Sequence, residues 1–142
     1  LLQDDCKDGV ILDGFPRTIA QAEMLDNFFA EIGRKLDYVV NIVVEDSAIV
    51  GRLSKRRICP ECKQSFHLDF APPDDGKCTK CGAEVVQRPD DVEEVIMQRL
   101  QEYHKQTEPL VNYYTEKGIL VDSESVNDID QALKNTLNAI GV

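Results

Sequence analysis

The sequence YVVNIVV, residues 38–44, is apolar at every position except Asn41, and most of its residues are β-branched. An apolar run without polar alternation is typical of a parallel strand that is buried on both faces. We therefore expect residues 38–44 to form a central strand of a parallel sheet.

The residues before this strand predict a second strand and a helix. Residues 10–13 are a short apolar run ending at Gly14, which indicates a buried strand followed by a tight turn. Thr18 and Gln21 fit a capping box, and the apolar helix face that follows is expected to end at Gly33.

Four helices and a last strand are predicted after residue 44. Asp46 and Asp90 are the predicted N-caps of the first two helices, and Pro109 and Gly118 are the predicted bounds of the third. Residues 119–121 are the predicted strand, and Asn127 is the predicted N-cap of the last helix. Arg52 and Arg56 would lie on one face of the first of these helices.

Strands that alternate with helices predict an α/β fold, in which a parallel sheet is flanked by helices. Ligands in such folds bind at the carboxyl ends of the strands. The sequence DGFPR, residues 13–17, follows one predicted strand and is therefore a candidate site.

Composition restricts the classes of function. The 142 residues are 42% hydrophobic and carry a net charge of -10, which disfavours binding to nucleic-acid backbones. No apolar run approaches the ~20 residues of a membrane span. The first residues lack the basic region of a signal peptide, so we expect no export, no membrane insertion and a cytoplasmic location.

Residues 58–86 interrupt the α/β pattern with four cysteines in two close pairs. Cys59 and Cys62 are separated from Cys78 and Cys81 by fifteen residues, which is typical of a structural zinc ribbon. Two disulfides or free thiols are the alternative, which the absence of an export signal disfavours. Four thiolates would leave zinc no open position, so its role would be structural.

Several motifs resemble the adenylate kinases in order along the chain. They are DGFPRT at residues 13–18 with Gln21-Ala22, GRLSKRRIC at 51–59, FHLDFAPP at 66–73, QRPDD at 87–91, and Arg99. The resemblance covers essentially all 142 residues, and the four cysteines are similar to the long bacterial form, whose zinc-bearing insertion is called the LID.

The resemblance implies the fold of a P-loop nucleoside-monophosphate kinase with a zinc-ribbon LID inserted in its sheet-and-helix CORE. Residues 1–57 would be the first part of the CORE, 58–87 the LID and 88–142 the second part of the CORE. The implied activity is reversible phosphoryl transfer, ATP + AMP = 2 ADP, by a transferase of nucleotide biosynthesis that is monomeric and uses Mg2+ with ATP.

The resemblance also implies the site residues, position by position. AMP would be bound by Gly14, Phe15, Pro16, Arg17, Gln21, Arg88 and Arg99. ATP would be bound by Arg52, Arg56, Ser65, Phe66 and Asn127. Catalysis would fall to Arg56, Arg88 and Arg99, with Asp13 holding magnesium-bound water. Permanently charged, planar guanidinium groups suit the oxygens of a transferring phosphoryl group.

Simpler interpretations remain for several of these residues. Gln21 could serve only the capping box, and Arg52 and Arg56 could form a solvated helix face. Arg88 could be a loop cation. His67 is expected to be structural, and His104 to be a surface helix residue.

No G-x-x-x-x-G-K-[ST] phosphate loop occurs in the 142 residues. The resemblance implies that the first strand, this loop and an AMP-covering segment precede Leu1. We therefore expect a partial form, inactive and weakly stable alone, with residues 10–13 and 38–44 separated by a gap of roughly 10 Å. The alternatives are a zinc-ribbon module that binds nucleic acid or protein, and a degenerate kinase fragment kept for its LID.

Overall fold

The computed structural model describes residues 1–126 and 128–142, apart from the side chain of Asp5. The helices and strands of this part, in chain order, are α1 (Ile19–Glu31), β1 (Val39–Val43), α2 (Asp46–Ser54), β2 (Arg56–Ile58), β3 (Ser65–His67), α3 (Glu93–Glu102), α4 (Pro109–Glu116), β4 (Leu120–Glu124) and α5 (Ile129–Ile140). Short 3-10 turns lie at Asp4–Cys6 and Pro89–Asp91, and a π-helical segment at Tyr103–Thr107.

The sheet is parallel, as predicted, and pairs β1 with β4. The register runs from Val39 opposite Leu120 to Val43 opposite Glu124. Asn41, the polar residue of the apolar run, donates from Nδ2 to Oδ1 of Asp122 at 2.7 Å, which satisfies its amide across the two strands. The fold is therefore an α/β sheet flanked by helices.

Two expectations about the sheet are wrong. Residues 10–13 do not form a strand, and Ile11 is 96% exposed, because no described strand supplies backbone hydrogen bonds to this segment. β1 is not buried on both faces: Ile42 is 51% exposed, since β4 is its one pairing partner among the described strands.

The main core lies between α1, α4 and the sheet. Ala22, Leu110 and Tyr114 form its buried centre. Thr18 caps α1 by accepting from the Gln21 amide at 3.3 Å, as predicted, and Gly33 follows the helix with φ +68. Local capping and an apolar face therefore suffice to fix this helix.

Several predicted caps are wrong by one or two residues. Glu45 rather than Asp46 precedes α2, and Val92 rather than Asp90 precedes α3. The carboxylate of Asp46 instead contacts His104, and residues 89–91 form a separate 3-10 turn. Asp128 caps α5 by accepting from Gln131, while Asn127 lies outside the described residues.

The insertion begins as a hairpin of β2 and β3. Arg56 pairs with His67 and Ile58 with Ser65, and Ile58 also bridges to Val86, so that the two ends of the insertion meet. Because α2 ends at Ser54, Arg56 lies on β2, and the expectation that Arg52 and Arg56 share a helix face is wrong. None of the described helices has both the length and the apolar character to cross a membrane.

Candidate active-site cleft and metal centre

The turn at residues 14–17 has a tightly specified backbone. Gly14 has φ +70, the Phe15-Pro16 peptide bond is cis, and Arg17 donates from Nε to the Gly14 carbonyl at 2.8 Å. A β-carbon on residue 14 would lie 2.8 Å from Nη2 of Arg17. Glycine is therefore favoured by its backbone angle, and a larger residue would in addition require the flexible end of the Arg17 side chain to shift.

Gln21 stabilises the same turn. Its Oε1 accepts from the backbone amide of Arg17 at 2.7 Å, while its own amide donates to Thr18. The side chain of Gln21 therefore serves the start of α1, but it bonds the amide of Arg17 and not that of Thr18, so only half of the predicted capping box is observed. Among the described residues its side-chain NH2 has no partner.

A cleft of about 1040 Å³ lies at the carboxyl end of β1. Gly14, Pro16 and Arg17 line it on one side, and Arg99 of α3 lines it as well. Its position agrees with the rule that α/β sheets bind ligands beyond the strand ends. The cleft therefore joins two segments that are more than eighty positions apart in the sequence.

Two of the predicted site arginines have no partner within the described part of the chain. The guanidinium groups of Arg88 and Arg99 make neither an ion pair nor a hydrogen bond there. The chain has 26 acidic residues and a net charge of -10, so an arginine that pairs with none of its carboxylates is a candidate anion-binding group. Such a group is ready to bind an anion without first breaking an ion pair.

Arg52 and Arg56, unlike Arg88 and Arg99, each bind a partner among the residues that the structure describes. Arg52 donates from Nη1 to Oγ of Ser125 at 3.3 Å, which connects α2 to the segment after β4. Arg56 binds Asp91 with two hydrogen bonds of 2.8 and 2.6 Å, and that aspartate is fully buried. The bond with Asp91 is the main cause of a raised pKa for Arg56.

The other predicted site residues do not line the cleft. Asp13 is exposed, as is Ser65 at the start of β3. The side chain of Phe66 is buried in the LID beside Cys59 and Cys78, so its ring does not face a ligand.

The four cysteines form one cluster, with all four sulfurs within 4.8 Å of one another. The separations are 3.4 Å between Cys59 and Cys81 and 3.5 Å between Cys62 and Cys78. These distances are far beyond the ~2.05 Å of a disulfide and near the ~3.8 Å expected between thiolates around zinc. The group could therefore hold a metal ion.

Two equivalent knuckles build this cluster. In the first, Cys59 donates its amide to Gln64, and Lys63 donates to Cys59; in the second, the same bonds join Cys78 with Ala83 and Gly82 with Cys78. The residue after each pair has positive φ, +62 at Lys63 and +77 at Gly82. The repeated geometry directs each pair of sulfurs to the same point.

Backbone amides also favour the thiolate form. The amide of Cys62 is the main cause of a lowered pKa at Cys59. Burial raises the pKa of Cys78, but the amides of Lys80 and Cys81 lower it, to about 7. At Cys81 the amide of Ala83 lowers the pKa, but hydrogen bonds with the other three thiols raise it, to about 12. The amides thus favour the thiolate that a metal binds at Cys59 and Cys78, and not at all four cysteines.

His67 fastens the LID to α2. Its Nε2 donates to the Arg52 carbonyl at 3.1 Å, and its Nδ1 accepts from the Asp69 amide at 3.2 Å. The ring is 7% exposed and stacks on Phe70. His67 is therefore a structural residue, as expected from the sequence.

The π-helical segment Tyr103–Thr107, which lines the cleft, was not predicted from the sequence. Glu108 donates its amide to Tyr103, five residues earlier, instead of four. Pro109 follows, and a proline excludes a regular helical bond at its own position. The proline at the predicted start of the third helix was the available signal for an irregularity just before it.

His104 lies on this segment between two carboxylates. Its Nε2 contacts Asp46 at 2.9 Å and its Nδ1 contacts Glu108 at 3.0 Å. The bond with Asp46, followed by the bond with Glu108, raises the pKa of His104. His104 therefore connects the start of α2 to the π-helical segment, a structural role beyond the surface position expected from the sequence.

We expect stability to fall as pH rises through the folded pKa of His104. The charged form is favoured in the folded state, so its contribution is complete below the ordinary pKa of 6.5 and disappears above the raised value. Melting temperatures measured from acidic to alkaline pH should decline across this window, and His104→Gln should flatten the decline. An NMR titration that places the pKa of His104 below 6.5 would contradict the account.

The described fold and site define an α/β protein with an inserted four-cysteine LID and a cleft at the end of its sheet. A family model described as adenylate kinase matches residues 1–119. The chain belongs to the adenylate kinase family.

Individual relatives agree with the family model. The chain is 50% identical to an adenylate kinase of Caldicellulosiruptor saccharolyticus over 143 aligned residues, which are 100% of this chain and 66% of that protein. It is 49% identical to an adenylate kinase of Archaeoglobus fulgidus over 94% of this chain and 62% of the relative. An adenylate kinase of Clostridium botulinum is 44% identical over 99% of this chain and 66% of its own length. The chain thus spans 66% or less of the length of these relatives.

Proposed function

We propose that the protein carrying this chain is an adenylate kinase that transfers a phosphoryl group reversibly between ATP and AMP, giving two ADP. Family membership supports this class of reaction. The observation that carries the proposal is the cleft of about 1040 Å³, which is lined by Gly14, Pro16 and Arg17 of the turn and by Arg99 of α3.

In this proposal the cleft binds AMP. Arg17 and Arg99, which line the cleft, hold its phosphate. Arg88 is not among the lining residues, and we assign it to the same phosphate because its guanidinium, like that of Arg99, has no partner among the described residues. Gly14, Phe15 and Pro16 form the adjoining wall, and the free NH2 of Gln21 contacts the base. The arginines supply charge to the equatorial oxygens as the phosphoryl group is transferred, which is what this reaction requires.

ATP would be held by residues at the base of the LID. We assign this role to Arg52, Arg56, Ser65, the main chain at Phe66, and Asn127. Arg56 would act from its ion pair with Asp91, which fixes the direction of the guanidinium and leaves Nη1 for a phosphate oxygen. Asp13 would order water of the Mg2+ that accompanies ATP.

The domains would be residues 1–57 and 88–142 for the CORE and 58–87 for the LID. The antiparallel pairing of Ile58 with both Ser65 and Val86 supports a LID with two adjacent roots. Such a unit can close as a rigid body and exclude water that would otherwise hydrolyse ATP.

We assign zinc to the four cysteines, because an all-thiolate set of four is typical of structural zinc. Cys59, Cys62, Cys78 and Cys81 would leave no open position, so the ion would stabilise the LID and take no part in the reaction. Thiolate coordination also suits a reducing compartment, which supports a cytoplasmic enzyme, and we propose that it acts as a monomer.

The test is an assay for ADP formation by the complete natural protein that carries this chain. Mixtures of ATP, AMP and Mg2+ should give two ADP for each AMP consumed, observed by phosphorus NMR. ATP alone, the control, should remain intact. Absence of ADP, or release of inorganic phosphate from ATP without AMP, would refute the proposed reaction.

Replacement of Arg17 tests the AMP assignment. We expect Arg17→Ala to raise the KM for AMP by about 10- to 100-fold, since a charge-assisted hydrogen bond contributes about 1.5–3 kcal/mol, and to leave the KM for ATP nearly unchanged. Arg34→Ala is the control, because Arg34 contacts the carbonyl of Cys6 and does not line the cleft. Equal effects of the two substitutions, or a rise in the KM for ATP alone, would refute the assignment.

A further inference from the structure

A hydrogen bond connects the π-helical segment to the turn at residues 14–17. The hydroxyl of Thr107 donates to the backbone carbonyl of Arg17, with 2.9 Å between the oxygens. Thr107 and Arg17 are 90 positions apart in the sequence. Both residues line the cleft.

The hydroxyl of Thr107 departs from the usual habit of threonine in helices. A helical threonine commonly bonds the carbonyl four residues earlier, as Thr115 does with Val111 at 2.7 Å. Thr107 instead directs its proton out of the segment, where the backbone is already widened by the π-helical bond from Glu108 to Tyr103. Its side chain is half-buried, whereas the other four residues of the segment are exposed.

The other bonds of Arg17 are local. Its Nε donates to Gly14 and its amide donates to Gln21, three and four residues away. These two bonds shape the turn but do not fix where the turn lies relative to α3. The bond from Thr107 fixes the position of the turn relative to α3, because the π-helical segment continues directly from the helix that carries Arg99.

We propose that Thr107 is a positioning residue for the AMP phosphate, which holds the main chain of Arg17 at a set distance from Arg99. This inference rests on the proposed function. Two guanidinium groups bind one phosphate well only if their separation is fixed, and small displacements of positioning groups cost substantial rate or affinity. Thr107 acts through Arg17 and is not itself a catalytic residue.

The test compares three variants of the complete natural protein. Thr107→Val keeps the shape and removes the donor, Thr107→Ser restores a hydroxyl, and Thr115→Val is the control that removes a bond within α4. We expect Thr107→Val to raise the KM for AMP by about 3- to 10-fold, which is the range of one neutral hydrogen bond, with the KM for ATP unchanged. Thr107→Ser should restore the KM for AMP, and Thr115→Val should leave it unchanged.

A second readout separates positioning from general stability. Hydrogen exchange at the amide of Arg17, which is bonded to Gln21, should accelerate in Thr107→Val while the melting temperature matches that of Thr115→Val. Equal KM values for AMP in these two variants would overturn the inference, as would a rise in both KM values with a lower melting temperature. If the wild-type protein forms no ADP, the proposed function fails and the AMP assignment with it. Unchanged kinetics of Thr107→Val in an active enzyme would overturn this inference alone.

Discussion

Cys59→Ser or Cys78→Ser will abolish metal binding and unfold the LID. The buried centre of the LID consists of these two cysteines and Phe66, supported by Cys62, Ala83 and Val85. Three of these six residues are proposed ligands, so little apolar packing remains without the ion. Structural zinc supplies about 10–16 kcal/mol of apparent binding free energy in small zinc domains, which a core of this size cannot replace.

Metal content by native mass spectrometry and amide NMR spectra will measure both effects. We expect the wild-type chain to hold a single zinc ion, and each serine variant to lose it together with the dispersed signals of residues 58–86. Cys6→Ser is the matched control, since Cys6 lies outside the cluster, and it should keep the ion. A folded LID in the metal-free serine variants would show that packing alone supports it.

Arg56→Met will destabilise the protein by about 3–5 kcal/mol, because it leaves the buried carboxylate of Asp91 without its charged partner. The side chain of Asp91 has no exposed area, and both of its oxygens accept from Arg56. The pair connects β2, at the base of the insertion, to the 3-10 turn before α3. Its loss therefore weakens the contact between the insertion and the rest of the fold.

Lys55→Met is the control for this prediction. Lys55 is the preceding residue, and its ion pair with Asp69 is about half exposed on both sides, so its loss should cost less than about 1 kcal/mol. Urea unfolding of the metal-loaded protein gives both values. In the double variant Arg56→Met with Asp91→Leu, much of the stability should return. Similar costs for Arg56→Met and Lys55→Met would contradict the role of the buried pair.

The features that the sequence predicts are those determined by neighbouring residues. The cap at Thr18 and the stop at Gly33 are local, as are the knuckles of the cysteine cluster. The parallel pairing of β1 followed from its apolar run. The strand β4 extends to Glu124, beyond the apolar residues 119–121, because pairing with β1 continues through Asp122 and Ser123.

The features that could not be predicted from the sequence depend on residues far apart in the chain. The pair of Arg56 and Asp91 spans 35 positions, and the contact of His104 with Asp46 spans 58. No local pattern distinguishes an aspartate that caps a helix from one that is taken by a distant cation. Asp46, which contacts His104, was wrongly predicted as a cap for this reason, and Asp90 was wrongly predicted because it lies in the 3-10 turn before α3. The family resemblance predicts which arginines belong to the site, but the structure is needed to see that Arg17 and Arg99 line one cleft.

NMR titration of the complete natural protein with AMP tests the central claim most directly. The account predicts that the largest shifts occur at the amides of Gly14, Phe15 and Arg17 and at the guanidinium signals of Arg17 and Arg99. Adenosine, which lacks the phosphate, should leave those guanidinium signals unmoved. Shifts confined to surfaces away from the cleft, or identical responses of both arginines to AMP and adenosine, would contradict it.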